Sequence, residues 1–203
     1  MITEGLAWLI IALPIAAMLV NGVLVRAFVG SNSKYAGYIT VAAIGGSFVL
    51  SLMTLATVMS DGPLHVDTHD WIAIGGLNLT FGLMVDQLTS IMLVVVTGVS
   101  LLVQIYGQAY MHGDKSYTRY FTYMALFTAS MLGLVLSGNL IQIFVFWELV
   151  GVSSYLLIGF WMDRPTAAAA AKKAFLMTRV GDFGFLLGIL YLYSQSSSYM
   201  DIS

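Results

Sequence analysis

The chain contains no cysteine. That absence excludes disulfides, cysteine-held zinc and thiolate-bound iron–sulfur clusters together. Charge is also scarce: Asp, Glu, Lys and Arg make up 9% of the residues, against roughly 25% in soluble domains. No basic patch or stripe marks a nucleic-acid surface. The glycine-bearing segment GDFGF at 181–185 is not a nucleotide loop, because it sits in an apolar run without a strand–turn–helix context. The residue ahead of the first apolar run is Glu4 rather than Lys or Arg, and that run is too long for the core of a signal peptide. It reads as a retained membrane helix. The histidines His65, His69 and His112 fall between the apolar runs. His65 and His69 are four apart, but their neighbours read as extended chain, so no metal site is expected.

What remains is apolar. Hydrophobic residues make up 59% of the chain, as in an integral membrane protein. Apolar segments fall at 5–29, 35–59, 84–108, 118–136, 139–160 and 173–194. Each is near the ~20 residues that a spanning helix needs. The expected fold is all-α integral membrane, with six transmembrane helices in one membrane domain over 1–203. The fourth and fifth spans are joined by so few residues that they should form a tight antiparallel pair. The 60–83 stretch reads as a small extracytoplasmic element between helices 2 and 3. Within it, Trp71 to Ile74 and Leu77 to Phe81 flank Gly75 and Gly76, the pattern of a β-hairpin on a two-residue turn.

Charge placement predicts the orientation. With the N-terminus outside, Arg26 and Lys34 fall in the first inside loop, Lys115 and Arg119 in the second, and Arg164, Lys172 and Lys173 in the third. The outside segments carry Glu4, Asp61, Asp67, Asp70 and Asp201 and no Lys or Arg. Every loop obeys the positive-inside rule.

Against that background Glu148 stands out. It lies about ten residues into the fifth apolar run, hence about 15 Å from either end at 1.5 Å per residue. A charged side chain at the centre of a membrane helix costs about 2.5–3.5 kcal/mol on insertion scales, so such a residue is a functional candidate by default. The functional reading is a proton-carrying carboxylate; the structural one is a buried acid that fixes helix packing. Arg179 and Asp182 are three apart on the last span and share a face. A mutually neutralising ion pair is the simpler reading of these two, and a charged relay the sharper one. Lys172 and Lys173 stand at the start of that span. They either snorkel to the headgroups or turn one ammonium inward toward Glu148. Gln142, Ser153 and Ser154 flank Glu148 on its own helix, as water holders or interhelical hydrogen-bond groups. Asp86 reads as a helix cap at the outer end of the third span.

Several motifs resemble one family. FWELVGVSSYLLIGF at 146–160 and KAFLMTRVGDFG at 173–184 look like the fifth- and sixth-helix motifs of the largest antiporter-like membrane subunit of complex I. FGLMVDQLTSIM at 81–92 and SMLGLV at 130–135 resemble its third and fourth helices. That subunit is called L in bacteria, 5 in mitochondria and F in the photosynthetic relative.

The resemblance implies a proton-translocating subunit of an NADH–quinone oxidoreductase, part of a translocase, with no redox centre in this chain. NADH, FMN, iron–sulfur clusters and quinone would belong to other subunits. Partners would be neighbouring antiporter-like subunits, the lipid bilayer and protons. The setting would be a bacterial plasma membrane, a thylakoid or an inner mitochondrial membrane. Glu148 takes the place of the family's proton-carrying glutamate, and Lys173, Arg179 and Asp182 that of its sixth-helix charged positions. The family also uses a lysine on a seventh helix, so the chain is expected to be the N-terminal portion of a longer subunit. Two other readings stay open: an Mrp-type sodium/proton antiporter subunit, and a non-catalytic membrane scaffold.

Overall fold

The computed structural model describes residues 4–64, 69–74 and 77–195. Helix α1 (Glu4–Leu19) runs directly into a π-helical segment (Val20–Val29), which Gly30 ends at φ 112°. Helix α2 (Lys34–Asp61) follows, then strands β1 (His69–Ile74) and β2 (Leu77–Phe81). Helices α3 (Gln87–Tyr110), α4 (Tyr117–Val135), α5 (Leu140–Ile158) and α6 (Pro165–Gln195) complete the chain. Helix ends match their local chemistry. Ser33, Asp86 and Asn139 each cap a helix by accepting a backbone N–H from its first turn. The Asp86 reading holds, with Thr89 N–H donating to Oδ1 at 2.7 Å.

The two strands pair antiparallel, with Ile74 opposite Leu77 and an irregularity between Asp70 and Ile72. Gly75 and Gly76, together with His65, Asp67 and Asp201, lie outside the described residues. Bridges from Leu64 to Val85 and from Leu83 to Ser137 tie the chain around the strands to the end of α4.

Five helices are long and apolar enough to cross a membrane: Glu4–Val29 (α1 with its π segment), α2, α3, α5 and α6. The expectation of six comparable spans is corrected at α4. Its first two turns carry Tyr117, Thr118, Arg119, Tyr120, Thr122 and Tyr123. The physical reason lies in its neighbours. Helix α4 packs on α1, α2, α3 and α5, and Tyr117, Thr118 and Phe121 are buried there. A helix enclosed by other helices is freed from the apolarity that a lipid-facing one requires.

The chain is a multi-pass membrane protein, and its packing is inverted relative to a soluble one. On α2, Thr40, Ser47, Ser51 and Thr54 are buried while Val49, Leu52 and Met53 are exposed. The buried hydroxyls donate to carbonyls one turn back, as Thr54 does to Leu50 O at 2.9 Å, or across helices, as Ser47 does to Ile10 O at 3.0 Å. Hydroxyls satisfied in this way let helices approach closely without a water-driven hydrophobic effect.

Helices α1 to α4 form a bundle with an apolar cluster at each end. Near the strands, Ile10, Val58, Leu93, Leu132 and Leu136 pack together. At the other end, Val25, Ala36, Met111, Phe121 and Phe160 do so. Helices α4 and α5 form the expected tight pair. Gly133 faces Phe146 so closely that no Cβ fits between them. Helix α6 leans chiefly on α5.

Candidate functional site

Glu148 lies near the middle of α5 and meets the middle of α6. Its carboxylate forms an ion pair with Arg179 Nη1. The same Nη1 stands 3.6 Å from Asp182 Oδ2, the i,i+3 partner on its own helix. Asp182 is held from the other side by Trp147, whose Nε1–H donates to Oδ1 at 2.9 Å. Four side chains from two helices therefore form one polar knot. Asp182 is buried, whereas Glu148 and Arg179 keep 24% and 29% of their side-chain exposure.

An aromatic shell surrounds the knot. The Arg179 guanidinium sits 4.6 Å over the Phe175 ring. Phe175 packs on Tyr155 with centroids 5.3 Å apart, and Trp147 meets Phe185 edge-on at 6.2 Å. A guanidinium suits this place, because it is weakly hydrated, planar and able to serve two carboxylates while resting on a ring.

The arrangement has a definite charge balance. Two carboxylates face one guanidinium, so the fully ionised cluster carries one excess negative charge. A single added proton neutralises it. The ion pair also fixes α6 against α5, so the carboxylate and its counter-ion are positioned by the same contact.

Arg179 and Asp182 do approach each other, but Arg179 also serves Glu148, so the pair is not self-contained. The acid at 148 thus has a cation within this chain, where the resemblance pointed only to a lysine on a further helix. Lys173 does not start its helix as expected. Helix α6 begins at Pro165, a favoured first-turn residue, which puts Lys173 about two turns inside. Lys172 and Lys173 are both exposed. Lys173 lies six residues before Arg179, about 9 Å along the axis, and is not part of the knot.

Gln142 is not part of it either. It lies one turn before Phe146, which packs on Gly133 of α4, so it shares the α4-facing side of α5. It is buried, with both side-chain amide atoms unpaired. Ser153 is buried and donates to Val150 O at 2.9 Å within its own helix. Trp147 is the residue that sequence reasoning missed. Its signal was adjacency to Glu148, but neighbouring residues on a helix point about 100° apart, so adjacency alone does not unite them. Among the described residues no group of His, Asp or Glu is placed to hold a metal ion.

Residues 71–121 match the family described as NADH-Ubiquinone oxidoreductase (complex I), chain 5 N-terminus. Residues 137–202 match the one described as NADH:quinone oxidoreductase/Mrp antiporter, TM. The chain is 47% identical over 201 residues to the chloroplastic NAD(P)H-quinone oxidoreductase subunit 5 of Nephroselmis olivacea, covering 95% of this chain and 30% of that one. It is 45% identical over 203 residues to NAD(P)H-quinone oxidoreductase chain 5 of a Synechocystis strain, covering 96% and 29%. The chain thus spans about 30% of the length of such relatives. Its fold is similar to a chain of an archaeal membrane-bound sulfane sulfur reductase, with TM-score 0.79 and 20% identity over 96% of this chain and 38% of that one. It is similar also to a chain of the Mrp complex of a Dietzia species, with TM-score 0.74 and 26% identity over 96% and 20%.

Proposed function

Because this chain belongs to the antiporter-like subunit 5 family of NAD(P)H–quinone oxidoreductases, we propose that it forms part of a proton-translocating membrane subunit in which Glu148 is the proton carrier. The observation that carries the reading is the Glu148–Arg179–Asp182 knot at mid-helix, with its one excess negative charge. Such a cluster takes up one proton when its cation withdraws, and releases it when a cation approaches. A potential of 100 mV is worth about 2.3 kcal/mol per charge moved across the membrane. That is of the same order as moving one partner of a partly exposed ion pair, so a small displacement of α6 against α5 suffices to gate the step.

Electron transfer belongs to other subunits of the assembly, with NADH, FMN, iron–sulfur clusters and quinone there. In this reading α4 is the sixth span, and the N-terminus and the paired strands lie on the extracytoplasmic side. Arg26, Lys34, Lys115, Arg119 and Arg164 gather at the opposite end of the bundle, as the positive-inside rule requires. Arg179 and Asp182 form the coupling pair, and exposed Lys173 lies between them and the cytoplasmic end of α6. The partners are neighbouring membrane subunits and lipid.

The test uses the corresponding full-length subunit assembled in its complex, in sealed vesicles. Glu148→Gln should lower proton movement per electron pair. Full coupled pumping by that variant overturns the reading. The likeness to an Mrp complex chain supports a second reading, sodium/proton exchange. A sodium-driven ΔpH formed without any electron donor would favour it.

A further inference from the structure

Toward the end of the α1–α4 bundle away from the strands, and away from Glu148, lies a level of buried polar side chains that the proposed function does not use. Asn21, Thr40 and Gln104 are all 0% exposed. Asn21 stands in the first turn of the π segment. Such segments are rare and are found frequently at functional sites.

Two donor chains run through this level. In the first, Asn21 Nδ2 donates to Thr40 Oγ1 at 2.7 Å and to Ala36 O at 3.1 Å, and Thr40 Oγ1 donates to Ala36 O at 2.7 Å. The Ala36 carbonyl only accepts, so the amide nitrogen must face it and Oδ1 must point away. In the second, Thr128 Oγ1 donates to Met124 O at 2.9 Å, which leaves its lone pairs for Ser100 at 2.5 Å. With its proton committed to Thr128, Ser100 accepts from Gln104 Nε2 at 3.4 Å. Each chain therefore begins at an amide whose carbonyl oxygen has no donor. Asn21 Oδ1 and Gln104 Oε1 are both buried and unpaired.

The two amides lie within about a turn of one another in height. Gly37 faces Gln108, and Gly45 faces Leu101, which sets the antiparallel register of α2 and α3. Gln104 is thus level with Val41 and Ala42, less than a turn from Thr40, and Thr40 holds Asn21. Helix α1 packs on α2 and α4, and α3 does the same from the other side. Asn21 and Gln104 accordingly enter the bundle from opposite sides. The apolar clusters toward each end close the level above and below.

From this we infer that the α1–α4 bundle holds a buried hydration site, in which one or two water molecules donate to Asn21 Oδ1 and Gln104 Oε1. Water fits because two acceptors without donors are what its two O–H groups satisfy, and buried water characteristically bridges such groups. A bare cation fits less well. The acids of α1 to α4 lie at helix ends (Glu4, Asp61 and Asp86), so a full charge at this level has no counter-ion.

The test has two parts, both on the full-length subunit in its assembled complex. A structure at a resolution that shows ordered water should contain density within hydrogen-bond reach of both Asn21 Oδ1 and Gln104 Oε1. Absence of that density, or amides re-paired with protein groups, overturns the inference. The thermal midpoints of Asn21→Leu, Gln104→Leu and the double variant supply the second part. Each single change should lower the midpoint by stranding the other carbonyl, and the double variant should fall no further than the worse single. Strictly additive losses overturn the inference, as does a wild-type midpoint that rises when sodium replaces choline. Should the single variants fail to assemble, the water density in the wild-type complex decides the matter.

Discussion

Replacing Glu148 by Gln separates the proton-carrier reading from the scaffold reading, because the knot's charges are unevenly matched. Glu148 and Asp182 supply two negative charges and Arg179 one positive. Glu148→Gln removes the excess, leaving Arg179 and Asp182 balanced at 3.6 Å, and the new amide oxygen still accepts from the guanidinium. Stability should therefore change by no more than about 1 kcal/mol, the net worth of an ordinary hydrogen bond. Arg179→Gln does the opposite and leaves two carboxylates uncompensated between α5 and α6. Losing one partner of a buried pair costs about 3–5 kcal/mol. With Glu148 and Arg179 a quarter or so exposed, a value of about 3 kcal/mol or less is expected here. Combining the two changes leaves only Asp182, which retains the Trp147 N–H, and should recover part of the loss. The assays are the thermal midpoint and yield of the assembled complex, together with proton uptake per electron pair in vesicles. Glu148→Gln should assemble normally and pump poorly; Arg179→Gln should assemble poorly. The reasoning is refuted if Glu148→Gln destabilises as much as Arg179→Gln while its assembled fraction pumps at the wild-type rate. That pattern would make Glu148 a packing residue.

Three further outcomes are expected. Trp147→Phe should lose about 1.5 kcal/mol from the bond to Asp182, the low end for a charged acceptor, and a double-mutant cycle with Asp182→Asn should show coupling of that size. Gly133→Ala should cost about 1–3 kcal/mol by overpacking, since the new methyl enters the Phe146 ring, and Phe146→Leu should relieve it in a midpoint measurement. Asp86→Ala should cost about 1 kcal/mol by uncapping α3, whereas Asp86→Asn should retain most of the bond to Thr89 N–H.

The residues explain why some of this was legible along the chain and some was not. Hydropathy located the membrane helices because lipid acts on each span separately, and a lipid-facing helix must be apolar over its whole length. The same rule ranked α4 with the lipid-facing spans, although its tyrosines and threonines answer to neighbouring helices rather than to lipid. Asp86 was readable because a cap is satisfied within four residues. Lys173 does not start its helix because the alanine run, made of the strongest helix former, carries α6 back through Lys172 to Pro165, whereas the paired lysines interrupt the hydropathy pattern.

By itself the sequence determined that this is a membrane protein, that no cysteine-based centre belongs to it, and that Glu148 stands where an acid is costly. It also showed that Arg179 and Asp182 share a helix face, since a three-residue spacing is local geometry. Only the tertiary structure decided that Arg179 reaches across to Glu148, that Trp147 holds Asp182, and that Asn21 and Gln104 are both buried at nearly one level. The physical reason is that periodicity says which side chains point the same way along one helix. Which helix they point toward, and at what height, depends on packing between elements far apart in the chain.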